Sequence, residues 1–237
     1  MLIFAVDTCS MSSTAAIADE VRTLAQFTVN HKKTHSEKIM PQIDAMIKAA
    51  DISLEDIDVF AVATGPGSFT GVRIGVATVK GFALALNKPC VSVSAIEALS
   101  YSVASFKGII APILDARRNQ VYNGLFESDG REIKRLCPDR ALKLSELLEE
   151  LKSIGQDVIF VGDGTPVFKD EIEEALKEKA YFAKKPFVYN LAPCVAEIGL
   201  SKFKAGEIIK AEELVPEYVR LSQAEQEKLK SKEGENK

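Results

Sequence analysis

Apolar and polar positions along the chain follow two periods, and the order of those periods sorts it into elements. Residues 2–7 (LIFAVD) form a short apolar run rich in strand formers. Residues 13–18 (STAAIA) and 24–30 (LAQFTVN) flank a polar turn at Asp19-Glu20, the pattern of a hairpin. Thr34-His35-Ser36-Glu37 is a capping box, in which hydroxyl and carboxylate satisfy orphan N–H groups at a helix start. The helix it opens, 36–50, carries Ile39, Met40, Ile43, Met46 and Ile47 as one apolar stripe, and Pro41 should bend its early part. DVFAVA (58–63) predicts a buried strand, followed by a glycine-rich loop, a helix over about 71–87, a strand at 89–93 and a helix at 94–105.

The same order then recurs. Residues 109–115, 120–126 and 131–137 predict three strands, with Asp129-Gly130 as the turn between the last two. Leu144, Leu147, Leu148 and Leu151 mark a helix over 144–153, and DVIFV (157–161) a strand. A glycine turn, Gly162-Asp163-Gly164, leads into a helix ending near 178. A last amphipathic helix fits 190–205. A βββαβα unit that occurs twice predicts an α/β chain of two similar lobes, 1–105 and 106–222, each a mixed sheet with helices on its faces. The end, 223–237, is dense in charge and lacks aromatics, so it is expected to be a solvated tail. Each unit closes its first strand on an aspartate, Asp7 and Asp115.

The loop ATGPGSFTGVRIG (63–75) holds Gly65, Gly67 and Gly71. It fits neither standard glycine fingerprint: a P-loop spacing sets Thr70 where a glycine is needed and no lysine follows, and G-x-G-x-x-G misses by one step. Two readings stand side by side. Backbone N–H groups with Ser68 at a helix start form an anion site, or the glycines only permit a tight strand-to-helix turn. Gly71, Gly75, Ala77, Gly81, Ala83 and Ala85 then keep the next helix narrow, which predicts close approach of another backbone. That helix and the methionine-bearing stripe of 36–50 either form an interface or merely cover their own sheet.

Charge and composition narrow the chemistry. Net charge is −4, so a nucleic-acid role needs a basic partner or one small basic patch, and Arg117-Arg118 is the compact basic pair inside the fold. A solvated pair is the ordinary reading and a phosphate contact the minority one. The longest apolar runs fall short of the roughly 20 residues of a membrane span, and Cys9, Cys90, Cys137 and Cys194 are scattered as reduced thiols would be, so a cytoplasmic protein is expected. His31 and His35 are the only histidines, and the helix start between them keeps them off one face, so no metal site or triad is expected there. Asp7 reads equally as a carboxylate for metal-bound phosphate chemistry or as a turn residue; for Asp115 a turn or salt bridge is favoured.

Two βββαβα lobes with an acidic first turn are similar to the actin, sugar kinase and heat-shock ATPase superfamily. Within it, His35-Ser36-Glu37, GPGSFTGVRIG (65–75), LDARRNQVY (114–122), VGDG (161–164) and Pro216-x-Tyr218-x-Arg220 resemble the TsaB (YeaZ) family, through nearly the whole chain to about residue 222. The resemblance implies a role in threonylcarbamoylation of the adenosine beside the anticodon in tRNAs reading codons that begin with A. It implies a non-catalytic subunit that binds and activates the larger paralogue TsaD, with the ATPase TsaE completing the assembly, and with tRNA reached through the complex. The implied TsaD-binding surface is the helix pair 36–50 and 71–87, with Ile39, Met40, Ile43, Met46, Ile47, Arg73, Gly75, Val76, Lys80 and Gly81. A homodimer through the same helices is expected without the partner. TsaD-like chains carry H-x-x-x-H after the strand that follows the glycine helix; Ala95 and Leu99 fall there, so no metal is implied. No cofactor is implied as a requirement. ATP or ADP at the partner interface would use Asp7, Gly65, Gly67, Ser68, Gly71, Gly162 and Gly164, and tRNA contact would use Arg117 and Arg118. The alternatives are an ATPase or kinase of the superfamily, and a metallopeptidase-like protein.

Overall fold

The computed structural model describes residues 1–30, 35–189 and 191–220, without the side chains of His35 and Ser36. His31, the threonine of the capping box and the charged tail lie outside the described residues.

The first sheet is ordered β3-β2-β1-β4-β5 from β1 (Ile3–Asp7), β2 (Ser12–Ala18), β3 (Thr23–Asn30), β4 (Val59–Gly65) and β5 (Cys90–Ser94). β1 runs antiparallel to β2 and parallel to β4, and β4 parallel to β5. β1, β2 and β4 are buried along their whole length, as strands covered on both faces must be. Helices α1 (His35–Ala50), α2 (Phe69–Leu86) and α3 (Ala95–Tyr101) connect and follow these strands.

The second sheet repeats the plan with two interruptions. β6 (Lys107–Asp115) pairs with β7 (Gln120–Asn123) through its last residues and with β8 (Phe126–Asp129) through its first. β7 and β8 keep one register, Ile113 opposite Asn123 and Ile110 opposite Phe126, so they are one strand interrupted where Pro112 offers no N–H. The Asn123 side chain fills the gap by donating to the Pro112 carbonyl at 2.9 Å. The strand expected over 131–137 shortens to β9 (Ile133–Arg135), which pairs with β8, and beyond Pro138 a strand outside the expected span, β10 (Arg140–Lys143), pairs with β7. β11 (Val158–Val161) and β12 (Ala180–Phe182) add parallel strands on the other side of β6, giving β10-β7-β6-β11-β12. β12 has no counterpart in the sequence-based expectation. The order matches the first sheet strand for strand. The chain is thus a duplicated α/β fold of two like sheets, as the repeated unit in the sequence predicts.

Two apolar cores follow. One lies under α4 (Leu144–Ile154) and α5 (Thr165–Leu176), where Leu147, Leu151 and Ile172 meet Ile109, Ile113 and Phe160. The other fills the first lobe and continues onto the opposite face of the second sheet through Ile110, Leu114, Phe126 and Val161. Helix α6 (Ala192–Lys204) follows the second sheet in sequence but lies on β1 and β2 of the first, with Val195, Ala196 and Ile198 in that core.

Candidate functional site

Glycines of the loop and of helix α2 meet the turn after β1. A Cβ at Gly67 would run into the Cys9 carbonyl, one at Gly71 into the Thr8 carbonyl, and one at Gly75 into the Thr8 hydroxyl, each well inside contact distance. The close approach is sealed by hydrogen bonds: Ser68 N–H donates to Cys9 O at 2.6 Å and the Thr8 hydroxyl to Gly71 O at 2.7 Å. Ser68 caps α2 by accepting from Gly71 N–H at 3.3 Å. So the backbone that the glycines admit is the chain's own, and the Ser68 and Gly71 donors are already engaged.

Asp7 is fully buried, and its carboxylate accepts the Cys9 N–H at 2.8 Å. In the second lobe, Gly162 and Gly164 lie against the Ile113 carbonyl. Asp163 between them accepts the Asp115 N–H at 3.1 Å and also the N–H of Met11 in the first lobe. Burial pushes the Asp163 carboxyl above its ordinary value, an effect that these two donors partly offset. The turn after β1 and the glycine turn after β11 therefore touch each other. As folded, Asp7 presents no surface to a metal-bound phosphate, and the residues do not fit a nucleotide between Asp7 and Gly162–Gly164. Ala95 and Leu99 are buried on α3. Among the described residues no three His, Cys, Asp or Glu side chains are grouped to hold a metal. Burial raises the Cys9 thiol well above its ordinary value and Cys194 to about 12, so neither is a ready nucleophile.

The partner-surface residues divide. Ile39, Ile43 and Met46 of α1 and Gly75 and Val76 of α2 face the lobe's own interior. Outward, α2 presents Arg73, Ala77, Gly81, Leu84 and Ala85, and α1 presents Met40, which is 47% exposed. Ile47 is half-buried in a groove of about 710 Å³ that Met40, Ile52, Leu54 and Phe82 also line. By length and mean hydropathy, 1.4, α2 could cross a membrane; in the fold it buries one face on the sheet and carries Arg73 and Lys80 on the rest.

Sequence reasoning missed the strap formed by 211–220. Lys80 donates to the carbonyls of Glu212 and Leu214 at 2.8 and 3.2 Å. Glu217 N–H donates to Thr64 O at 2.8 Å, and its carboxylate accepts from Ser92. Tyr218 stacks on Phe69 at 4.6 Å, and its hydroxyl accepts from Arg73 Nε at 2.8 Å. Arg220 reaches the second lobe, donating to Ala116 O at 2.9 Å and Gln120 Oε1 at 2.8 Å. The motif Pro216-x-Tyr218-x-Arg220 was the only signal, and spacing alone gave it no partner. Arg117 and Arg118 stand exposed on the turn after β6.

A family model described as TsaD, tRNA N6-adenosine threonylcarbamoyltransferase, matches residues 22–228. The tRNA threonylcarbamoyladenosine biosynthesis protein TsaB of Bacillus subtilis (strain 168) is 35% identical over 232 residues, 98% of this chain and 99% of that protein. The protein of the same name from Escherichia coli (strain K12) is 27% identical over 93% of this chain and 95% of its own length. Among solved structures, a Pseudomonas aeruginosa protein described as similar to the peptidase YeaZ superposes with a TM-score of 0.79 at 24% identity, over 92% of this chain and 99% of that one. YeaZ from the same organism gives 0.75 at 23%, with the same coverage.

Proposed function

The chain belongs to the TsaB family of tRNA threonylcarbamoyladenosine biosynthesis proteins, and from that membership we propose that it serves the modification as a docking subunit of a TsaD-type transferase rather than as the catalyst. One observation carries the reading: the outward face of α2. Ala77, Gly81 and Ala85 recur at one-turn spacing beside the half-exposed Leu84, next to the apolar groove of α1. Small side chains let a second helix approach closely, and the neighbouring groove accepts larger apolar ones. The buried Asp7 and the contact between the turns after β1 and β11 support a non-catalytic role.

Binding the TsaD-type partner would bury this face, and activation would follow from holding the partner in one arrangement. The test replaces Ala77 or Leu84 by glutamate, each on the surface and clear of the core. Gel filtration and calorimetric titration with the partner should show affinity falling by 100-fold or more, which is about 2.7 kcal/mol. The melting temperature of the isolated chain should stay within about 2 °C, as for other surface substitutions. Modification of a tRNA transcript by the reconstituted system should fall in parallel. Full affinity in both variants, or modification by this chain alone, would overturn the proposal.

A further inference from the structure

The turn between β6 and β7 holds three consecutive non-glycine residues in the left-handed region: Arg117, Arg118 and Asn119, with φ of 66°, 54° and 56°. That region brings Cβ against the following carbonyl, so single residues visit it and runs are rare. Such a conformation persists only where its surroundings over-determine it. Here they do. The Asp115 carboxylate accepts Arg117 N–H at 2.8 Å. Gln120 N–H donates to Arg117 O at 3.1 Å, Ala116 N–H to Gln120 O at 3.0 Å and Leu144 N–H to Asn119 O at 3.2 Å. Arg220 of the strap clamps both ends of the turn, at Ala116 O and at the Gln120 side chain.

All of these bonds fix the backbone or its flanks, and they leave the arginine heads outside. The Arg117 side chain is 81% exposed and makes one contact, 3.3 Å to Asp115. Arg118 is exposed and makes no hydrogen bond or ion pair with the described residues. Lys143 sits opposite Gln120 in the β7–β10 register and is also exposed. Acid beside the turn comprises Asp115, already engaged by the turn, the buried Asp163, which accepts the Asp115 N–H at 3.1 Å and also feels the Arg117 charge, and Glu146 in the first turn of α4.

We propose that this rigid turn is an RNA-phosphate contact, by which the second lobe holds the backbone of the substrate tRNA while α1 and α2 of the first lobe hold the partner. The proposal rests on the docking reading above and adds the RNA side of the complex. Guanidinium forks match phosphate oxygens with two N–H donors each, and because the backbone is already fixed only side-chain rotamer order is lost on binding. An exposed edge grips a continuous phosphate chain; it does not enclose a small nucleotide. The chain's net charge of −4 sets the scale: this is a contribution of one or two phosphates to a site whose main charge lies elsewhere.

The experiment measures binding of an unmodified tRNA transcript to the reconstituted pair by fluorescence anisotropy across a salt series. Arg118→Glu is the principal variant, because that side chain supports nothing in the fold; Arg117→Gln/Arg118→Gln is the second and Arg118→Lys the conservative control. The expected result is an unchanged complex with the partner, an RNA Kd raised at least about tenfold at low salt by Arg118→Glu, and a log–log salt slope shallower by about 0.7–0.9 per lost phosphate contact. Arg118→Lys should retain most of both. Unchanged Kd and slope in the glutamate and double variants would overturn the proposal, as would equal tRNA affinity of the partner with and without this chain. If the wild-type chains fail to associate, the docking reading fails by itself. The phosphate contact then stands or falls on ultraviolet crosslinking of the isolated chain to the transcript, which Arg118→Glu must reduce.

Discussion

A methyl group added at Gly71 would meet the Thr8 carbonyl, whereas one added at Gly81 would meet nothing within 4 Å. The two glycines share α2 and are glycine for different reasons. At Gly71 the missing side chain lets helix and β1 turn come together, and the neighbouring atom is backbone, which cannot rotate away. Gly71→Ala is therefore expected to destabilise the chain by at least about 2 kcal/mol, the overpacking range with backbone strain added. Gly81 is exposed in mid-helix, so Gly81→Ala is expected to stabilise by about 0.5–1 kcal/mol through helix propensity. Urea unfolding of the two variants should move in opposite directions; a Gly71→Ala protein as stable as the wild type would refute the packing account. The same contrast limits what sequence alone could say. The glycines announce a close approach, and the sequence shows it, but α2 is small and apolar on both faces. Its periodicity therefore cannot say that Gly75 faces Thr8 while Gly81 faces solvent.

At the scale of elements, the chain was most legible where local patterns decide the structure. The first hairpin, helix α1 and the strand-to-helix step at Gly65–Gly71 follow from a polar turn between strand-forming runs, an apolar stripe and a glycine cluster. The second sheet was legible in order but not in continuity, because Pro112 and Pro138 interrupt strands whose hydrophobic pattern runs on. The strap was illegible for another reason: it has no periodicity, and its partners Thr64, Arg73 and Lys80 are far away in sequence. The anchors nonetheless make it a defined element. Tyr218→Ala removes both the ring stack on Phe69 and the hydrogen bond from Arg73. It should cost about 1–2 kcal/mol, from an aromatic pair and one hydrogen bond to a charged donor. Because Glu217 N–H is bonded to Thr64 O next to that anchor, its hydrogen exchange should accelerate at least tenfold while amides of β1 and β4 stay protected. Uniform acceleration across the first sheet would instead mean that the strap is part of the lobe's global fold.

The whole molecule is held as one body by elements that cross between the lobes. α6 returns from the second sheet to cover the first, and the core of the first lobe runs onto Phe126 and Val161 of the second. A polar crossing adds to this: Arg135 of β9 pairs with Asp139 at 2.6 Å and with Glu97 of α3 at 3.4 Å, and its guanidinium lies 4.6 Å from the centroid of the Phe126 ring. Asp139 in turn accepts from Ser94, the N-cap of α3, at 2.5 Å. This network ties β9 and Asp139 of the second lobe to α3, the helix that ends the first βββαβα unit. All three charged side chains are partly buried, at 31%, 24% and 16% exposure for Arg135, Glu97 and Asp139. Removing the guanidinium leaves two partly buried carboxylates without their shared cation, Asp139 keeping its bond from Ser94, so Arg135→Met should cost about 1–3 kcal/mol at neutral pH. Arg135→Met/Glu97→Gln/Asp139→Asn should recover most of the stability, because the unpaired charges go with the cation. Since the apolar core spans both lobes, each variant is expected to melt in a single calorimetric transition. Two resolved transitions in Arg135→Met would show instead that this ion cluster, and not the shared core, makes the lobes unfold together.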